Sequence, residues 1–142
     1  MIIKVLGSAA GGGFPQWNCN CPNCSAVRTK TPGFKSRTQS SLAVSHDGEN
    51  WVLLNASPDL RQQLNDTPEL HARATGGLRH SPIKAVLVTN GDVDHIAGLI
   101  NLREAQPFTV YGSDRVLKTL AANTVFNVMA GQFVPNSRLI RF

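Results

Sequence analysis

Ile83-Lys84-Ala85-Val86-Leu87-Val88-Thr89-Asn90-Gly91-Asp92-Val93-Asp94-His95 reads as a buried strand that runs straight into an acidic turn. The first six residues are apolar apart from Lys84, include β-branched side chains, and have the length of a strand in a sheet interior. From Thr89 the chain turns polar, and three potential metal ligands, Asp92, Asp94 and His95, cluster at the strand end. In an extended turn Asp92 and Asp94 point to the same side, and His95, opening the next helix, can swing its ring back toward them. Carboxylates with one imidazole favour a hard or borderline metal such as iron or manganese over zinc, which prefers thiolates. The competing reading of the same residues is an Asx-turn followed by a helix cap.

Outward from this stretch, Ser41 to Ser45 and Trp51 to Asn55 read as two strands of a hairpin around His46-Asp47-Gly48-Glu49-Asn50. Ser57-Pro58-Asp59 has the form of a helix start, with Ser57 as N-cap and Pro58 at the first helical position, for a short helix Pro58 to Leu64. Residues 66–82 lack periodicity. Ile96 to Glu104 carries apolar residues at helical spacing, Phe108 to Tyr111 is a strand candidate, and Ser113 to Met129 reads as an amphipathic helix with Val116, Leu117, Leu120 and Val125 inward. Val134 to Phe142 holds at most one more strand. Ile2 to Leu6 is a short buried strand that feeds the Gly-rich turn Gly7-Ser8-Ala9-Ala10-Gly11-Gly12-Gly13. That turn lacks the Gly-Lys-Ser/Thr ending of a phosphate loop and reads as a place where backbone passes close to a neighbour. Strands arranged as hairpins, with helices following later, predict a layered α/β fold with a mixed sheet over residues 1–142, taken as a single domain.

The second chemical motif is Cys19-Asn20-Cys21-Pro22-Asn23-Cys24. Residues 14–38 are polar and rich in Pro and Asn, and a loop of that length needs something to hold it. The C-x-C-x-x-C spacing lets one tight turn aim three soft thiolates at a point, which suits structural zinc with Zn–S bonds of about 2.3 Å. Such a zinc supplies on the order of 10 kcal/mol of folding free energy. A closed zinc site takes four ligands, and the fourth stays open among His46, His71, His80 and a residue outside this chain. Three cysteines so closely spaced make a poor disulfide framework, which points to a reducing, cytoplasmic setting.

The chain has 142 residues, ordinary apolar content and a formal charge of +5. The positive residues are scattered, with Arg28, Lys30, Lys35 and Arg37 the one loose cluster, so a solvated loop is the reading and no nucleic-acid partner is expected. No apolar run approaches the roughly 20 residues of a membrane span.

Taken together these pieces resemble the metallo-β-lactamase superfamily, whose signature after a buried strand is H-x-H-x-D-H. Asp94 and His95 match its last two positions, while Asn90 and Asp92 stand where two histidines are usual, a departure that argues against an ordinary two-zinc hydrolase. More closely, Lys4 to Cys21, Arg37-Thr38-Gln39-Ser40-Ser41, Asn55-Ala56-Ser57-Pro58-Asp59, Asp92-Val93-Asp94-His95, Gly98-Leu99 and Leu102-Arg103-Glu104 are similar to successive blocks of the pyrroloquinoline quinone (PQQ) biosynthesis B family. That resemblance implies an αββα sandwich of two halves, with this chain matching the first. It implies a role in making the cofactor PQQ, as an iron-dependent oxygenase that hydroxylates the tyrosine ring of a crosslinked Glu-Tyr precursor. The metal ligands carried over are Asp92, Asp94 and His95 for catalytic iron and Cys19, Cys21 and Cys24 for structural zinc. The alternatives are a carrier of PQQ or its precursor toward the periplasm, and a metal-dependent phosphodiesterase of a related branch with a similar Cys-rich loop. If a further histidine and the second sheet lie beyond this chain, the 142 residues alone should turn over no substrate, expose an apolar sheet face and tend to self-associate as a homo-oligomer.

Overall fold

The computed structural model describes residues 1–104, 106–129 and 138–141, the last four by their backbone. Six strands form one sheet whose spatial order follows the chain. Strand β1 (Ile2–Gly7) pairs antiparallel with β2 (Ser41–Ser45), and β2 pairs antiparallel with β3 (Trp51–Leu54). Beyond β3 the pairing is parallel, through β4 (Ile83–Val88), β5 (Thr109–Gly112) and β6 (Arg138–Arg141). The mixed sheet read from the sequence is therefore the one observed. Strand β6 falls within the stretch Val134 to Phe142, of which residues 134–137 and 142 lie outside the described residues.

Three crossovers that step the same way along a parallel sheet, each right-handed, must place their helices on the same face. That face holds the core: Leu53, Val86 and Val110 of β3, β4 and β5 pack in one buried cluster with Leu60, Leu99, Val116, Leu117 and Leu120 from the crossovers. The opposite face is different. The register lines up Val5, Leu42, Leu54, Leu87 and Tyr111 as one row across five strands. Val5 is 67% exposed and the other four are only half-buried. Among the described residues no second layer covers this row.

Several local expectations are corrected. Residues 14–38 are not all loop, because α1 (Pro22–Arg28) lies within them, with Cys21 as N-cap and Pro22 opening the first turn. The Cys21 sulfur accepts the Cys24 N–H and stands in for the usual capping hydroxyl. Helix α2 runs Leu60–Asn65 rather than Pro58 to Leu64, and its N-cap is Asp59, not Ser57. Ser57 is fully buried and donates to Gln63 Oε1, while the Asp59 carboxylate accepts the Gln39 N–H. Those bonds, one local and one from the distant Gln39, remove both side chains from capping.

Where continuous helix was expected from Ile96 to Glu104, a single turn α3 (Val93–Ile96) passes into 3-10 helix over Ala97–Leu102. Here the Ala56 N–H donates to the His95 carbonyl and the Gly98 N–H donates to the Ala56 carbonyl. The 55–57 segment thus captures backbone groups that a longer α-helix would have used. Helix α4 (Asp114–Ala122) also stops before Met129. The Asn123 amide donates to the Thr119 carbonyl and its N–H to the Leu120 carbonyl, which satisfies the last turn. Val125 falls in the following 3-10 segment Thr124–Met129 and is 56% exposed, so it does not join Val116, Leu117 and Leu120.

Candidate metal centre

The Cys loop is shaped locally. Cys19, Cys21 and Cys24 bring their sulfurs within 4.8 Å of one another, and among the described residues this is the one group of three or more His, Cys, Asp or Glu ligands so close. Arg28, one turn past Cys24 on α1, donates to the carbonyls of Gln16, Trp17 and Cys19, folding the loop back over the helix. The Cys21 thiol is lowered to about 7, chiefly by the Cys24 N–H and then by Cys19 and Cys24. For Cys24 the Gln16 backbone favours the thiolate, but burial and the two neighbouring sulfurs outweigh it and push the thiol up. Crowding thiols whose proton affinities pull apart is a donor set that a soft cation relieves, so the residues fit zinc. None of His46, His71 and His80 joins the group; His71 Nε2 bonds the Asn65 carbonyl and His80 Nδ1 accepts the Arg73 N–H.

The acidic turn is shaped from a distance. Asp92 is the N-cap of α3 and has extended backbone, whereas Asp94 and His95 lie inside its single helical turn. Strand alternation therefore does not align the two carboxylates, and His95 does not open the helix, as the sequence had suggested. Asp94 Oδ1 sits 3.0 Å from His95 Nδ1, and the pair is 26% and 20% exposed. The two atoms lack hydrogen-bond geometry, so His95 Nδ1 is a buried nitrogen with an ion-pair neighbour but no hydrogen bond among the described residues. An orphaned imidazole nitrogen beside a carboxylate oxygen fits two coordination positions of a borderline cation. Asp92 is exposed and lines a separate cavity with Thr89, Asn90, Gly91, Ser113, Arg115, Val116 and Thr119.

Three other segments hold this turn. Gly11 approaches so closely that a Cβ there would lie 3.1 Å from Asp94 Oδ2, the close backbone passage read from the Gly-rich turn. Gln39 ties Gly11 down by donating from Nε2 to its carbonyl. Asn55, at φ 65°, ends β3 and accepts both the N–H and the hydroxyl of Thr89. Gly98 lets the 55–57 backbone press against the end of α3, since a Cβ there would stand 2.0 Å from the Ser57 carbonyl. Sequence reasoning did not assign Arg28, Asn55 and Gly98 these roles. Asn at the end of a strand and Gly inside an apolar helical pattern were the available signals.

The β-lactamase superfamily domain matches residues 50–141, and the chain belongs to the β-lactamase superfamily. Within it the chain is similar to coenzyme PQQ synthesis protein B (PqqB). It is 61% identical over 130 residues to that protein of Methylobacterium radiotolerans, covering 92% of this chain and 43% of the relative. With that of Rhodopseudomonas palustris it shares 57% identity over 133 residues, covering 94% and 42%. The crystal structure of Zn2+-bound PqqB from Methylobacterium extorquens superposes with a TM-score of 0.90 at 56% identity, covering 99% of this chain and 49% of that one. A diphosphatase of the PhnP family, at 24% identity and TM-score 0.70, shares the fold. The chain thus spans less than half the length of these relatives. The metallo-β-lactamase fold and the likeness to the first half of the PqqB family, both expected from the sequence, are the ones found. No described helix is long and apolar enough to cross a membrane.

Proposed function

We propose that residues 1–142 form one metal-bearing domain of a cytoplasmic PQQ-biosynthesis protein, in which Asp94 and His95 hold a catalytic iron while Cys19, Cys21 and Cys24 hold a structural zinc; Asp92, expected from the sequence as a third ligand, stands apart from the pair. The observation that carries this reading is the buried His95 Nδ1, which makes no hydrogen bond although it lies 3.0 Å from Asp94 Oδ1. A buried imidazole nitrogen without a hydrogen bond is a position that a cation can satisfy. When bound, iron supplies oxygen activation for aromatic hydroxylation, one oxygen atom entering the ring and the other leaving as water with two electrons from an added reductant.

The chain's own residues do the positioning. The Gly11 backbone walls one side of the Asp94 carboxylate, and the 55–57 segment holds α3 through the His95 carbonyl, so both ligands keep their geometry without each other's hydrogen bond. A carboxylate and an imidazole leave coordination positions for oxygen and for a tyrosine-derived substrate such as the Glu-Tyr precursor. The open apolar row on the sheet supports the requirement for a second layer before water is excluded from that site. In the full-length protein, His95→Ala should abolish iron binding and leave the cysteine zinc at full occupancy. Iron retained at full stoichiometry in that variant, by elemental analysis, would refute the assignment.

A further inference from the structure

We propose that the cavity beside Asp92 is the subsite that takes a carboxylate of the substrate, with Arg115 as its specificity-determining residue; this rests on the functional reading above. The cavity measures about 460 Å³ and lies where the parallel strands β4 and β5 end, the position at which open α/β sheets take ligands. Asp92 forms part of its wall, so the cavity adjoins the acidic turn that carries Asp94 and His95.

Its lining has one apolar side chain, Val116, and one cation among the described residues, Arg115. The ion pairs found among the described residues do not involve Arg115. The hydroxyl protons of Thr89 and Thr119 are already spent, on Asn55 Oδ1 and on the Arg115 carbonyl. Asn90 is engaged through its Oδ1, which accepts the Asp92 N–H, and so retains both Nδ2 protons. Ser113 Oγ accepts the Val116 N–H and retains its own proton. The lining therefore carries an exposed guanidinium, an amide N–H2 and a hydroxyl beside one carboxylate. A planar guanidinium fork with two neutral donors matches a carboxylate. A substrate rich in carboxylates also has to approach a turn that bears Asp92 and Asp94, and Arg115 is the charge that offsets them there.

The test uses the full-length protein and reads binding apart from turnover. Two probes are titrated by calorimetry: the crosslinked Glu-Tyr amino acid, and citrate, which has carboxylates but no ring to hydroxylate. Arg115→Gln should weaken both at least ten-fold, and Asn90→Ala by a few-fold. Lys118→Gln removes the same charge from an exposed position on α4 outside the cavity and should change affinity less than two-fold. Unaltered affinity in Arg115→Gln, an equal loss in Lys118→Gln, no binding by the wild type, or tighter binding of inorganic phosphate than of citrate would each overturn the carboxylate subsite. Arg115-dependent binding with no hydroxylated product would keep the subsite and remove the oxygenase reading.

Discussion

The Cys loop and the acidic turn are both short, ligand-rich stretches, yet they are built in opposite ways. Cys19, Cys21 and Cys24 come together through bonds that never leave residues 16–28: a sulfur cap on α1 and the Arg28 clamp on three carbonyls. Asp94 and His95 are adjacent in sequence, but their geometry depends on Gly11, on Asn55 to Ser57 and on Gly98, which come from the β1 turn, the end of β3 and the start of the 3-10 segment. A structural site can be folded by its own metal and a few local bonds. A site with open positions needs ligands held from outside, so that they stay in place while something else comes and goes.

Three substitutions should break or sharpen this contrast. Cys21→Ser removes a zinc ligand while its hydroxyl can still cap α1, so it isolates the metal, and it should have the largest effect. It puts at risk the order of 10 kcal/mol that a structural zinc contributes. The variant should lose zinc by elemental analysis and melt far below the parent, and adding a chelator to the parent should reproduce most of that loss. Equal stability without zinc would show that the loop does not depend on metal.

Gly98→Ala attacks the tertiary frame of the acidic turn. The added Cβ would meet backbone at 2.0 Å, so something must shift. Overpacking against rigid neighbours costs about 1–3 kcal/mol, and this site belongs at the upper end. Denaturant unfolding should show the loss, while zinc content stays unchanged.

The smallest effect on stability is expected from Gly11→Ala, where the clash is with the Asp94 carboxylate at 3.1 Å rather than with backbone. Stability should fall by about 1 kcal/mol or less. Iron affinity in the full-length protein should fall several-fold as Asp94 is displaced, with the cysteine zinc untouched. A parallel loss at both metals would mean that the two sites are coupled and that the Cys loop is not held independently of the acidic turn.

What was legible in the sequence follows the same division. Strands β2 and β4, the hairpin turn at His46 to Asn50 and the thiolate cluster could be read directly, because hydrophobic period and ligand spacing are local signals. Asp92, Asp94 and His95 were visible as ligand types, but not their separation, because one helical turn at Val93–Ile96 breaks the strand alternation that would align them. Ser57 looked like a cap and became a buried donor to Gln63, a side chain of the same helix that donates in turn to Thr38 and to the Gln39 carbonyl. Sequence alone determined which residues can bind a metal and that the sheet is mixed. Tertiary structure alone decided that His95 Nδ1 is buried without a hydrogen bond beside Asp94, that Asp92 and Arg115 line a separate cavity, and that the described residues leave one sheet face partly exposed. The physical reason is that each of these depends on backbone arriving from residues dozens of positions away, and no local period encodes that arrival.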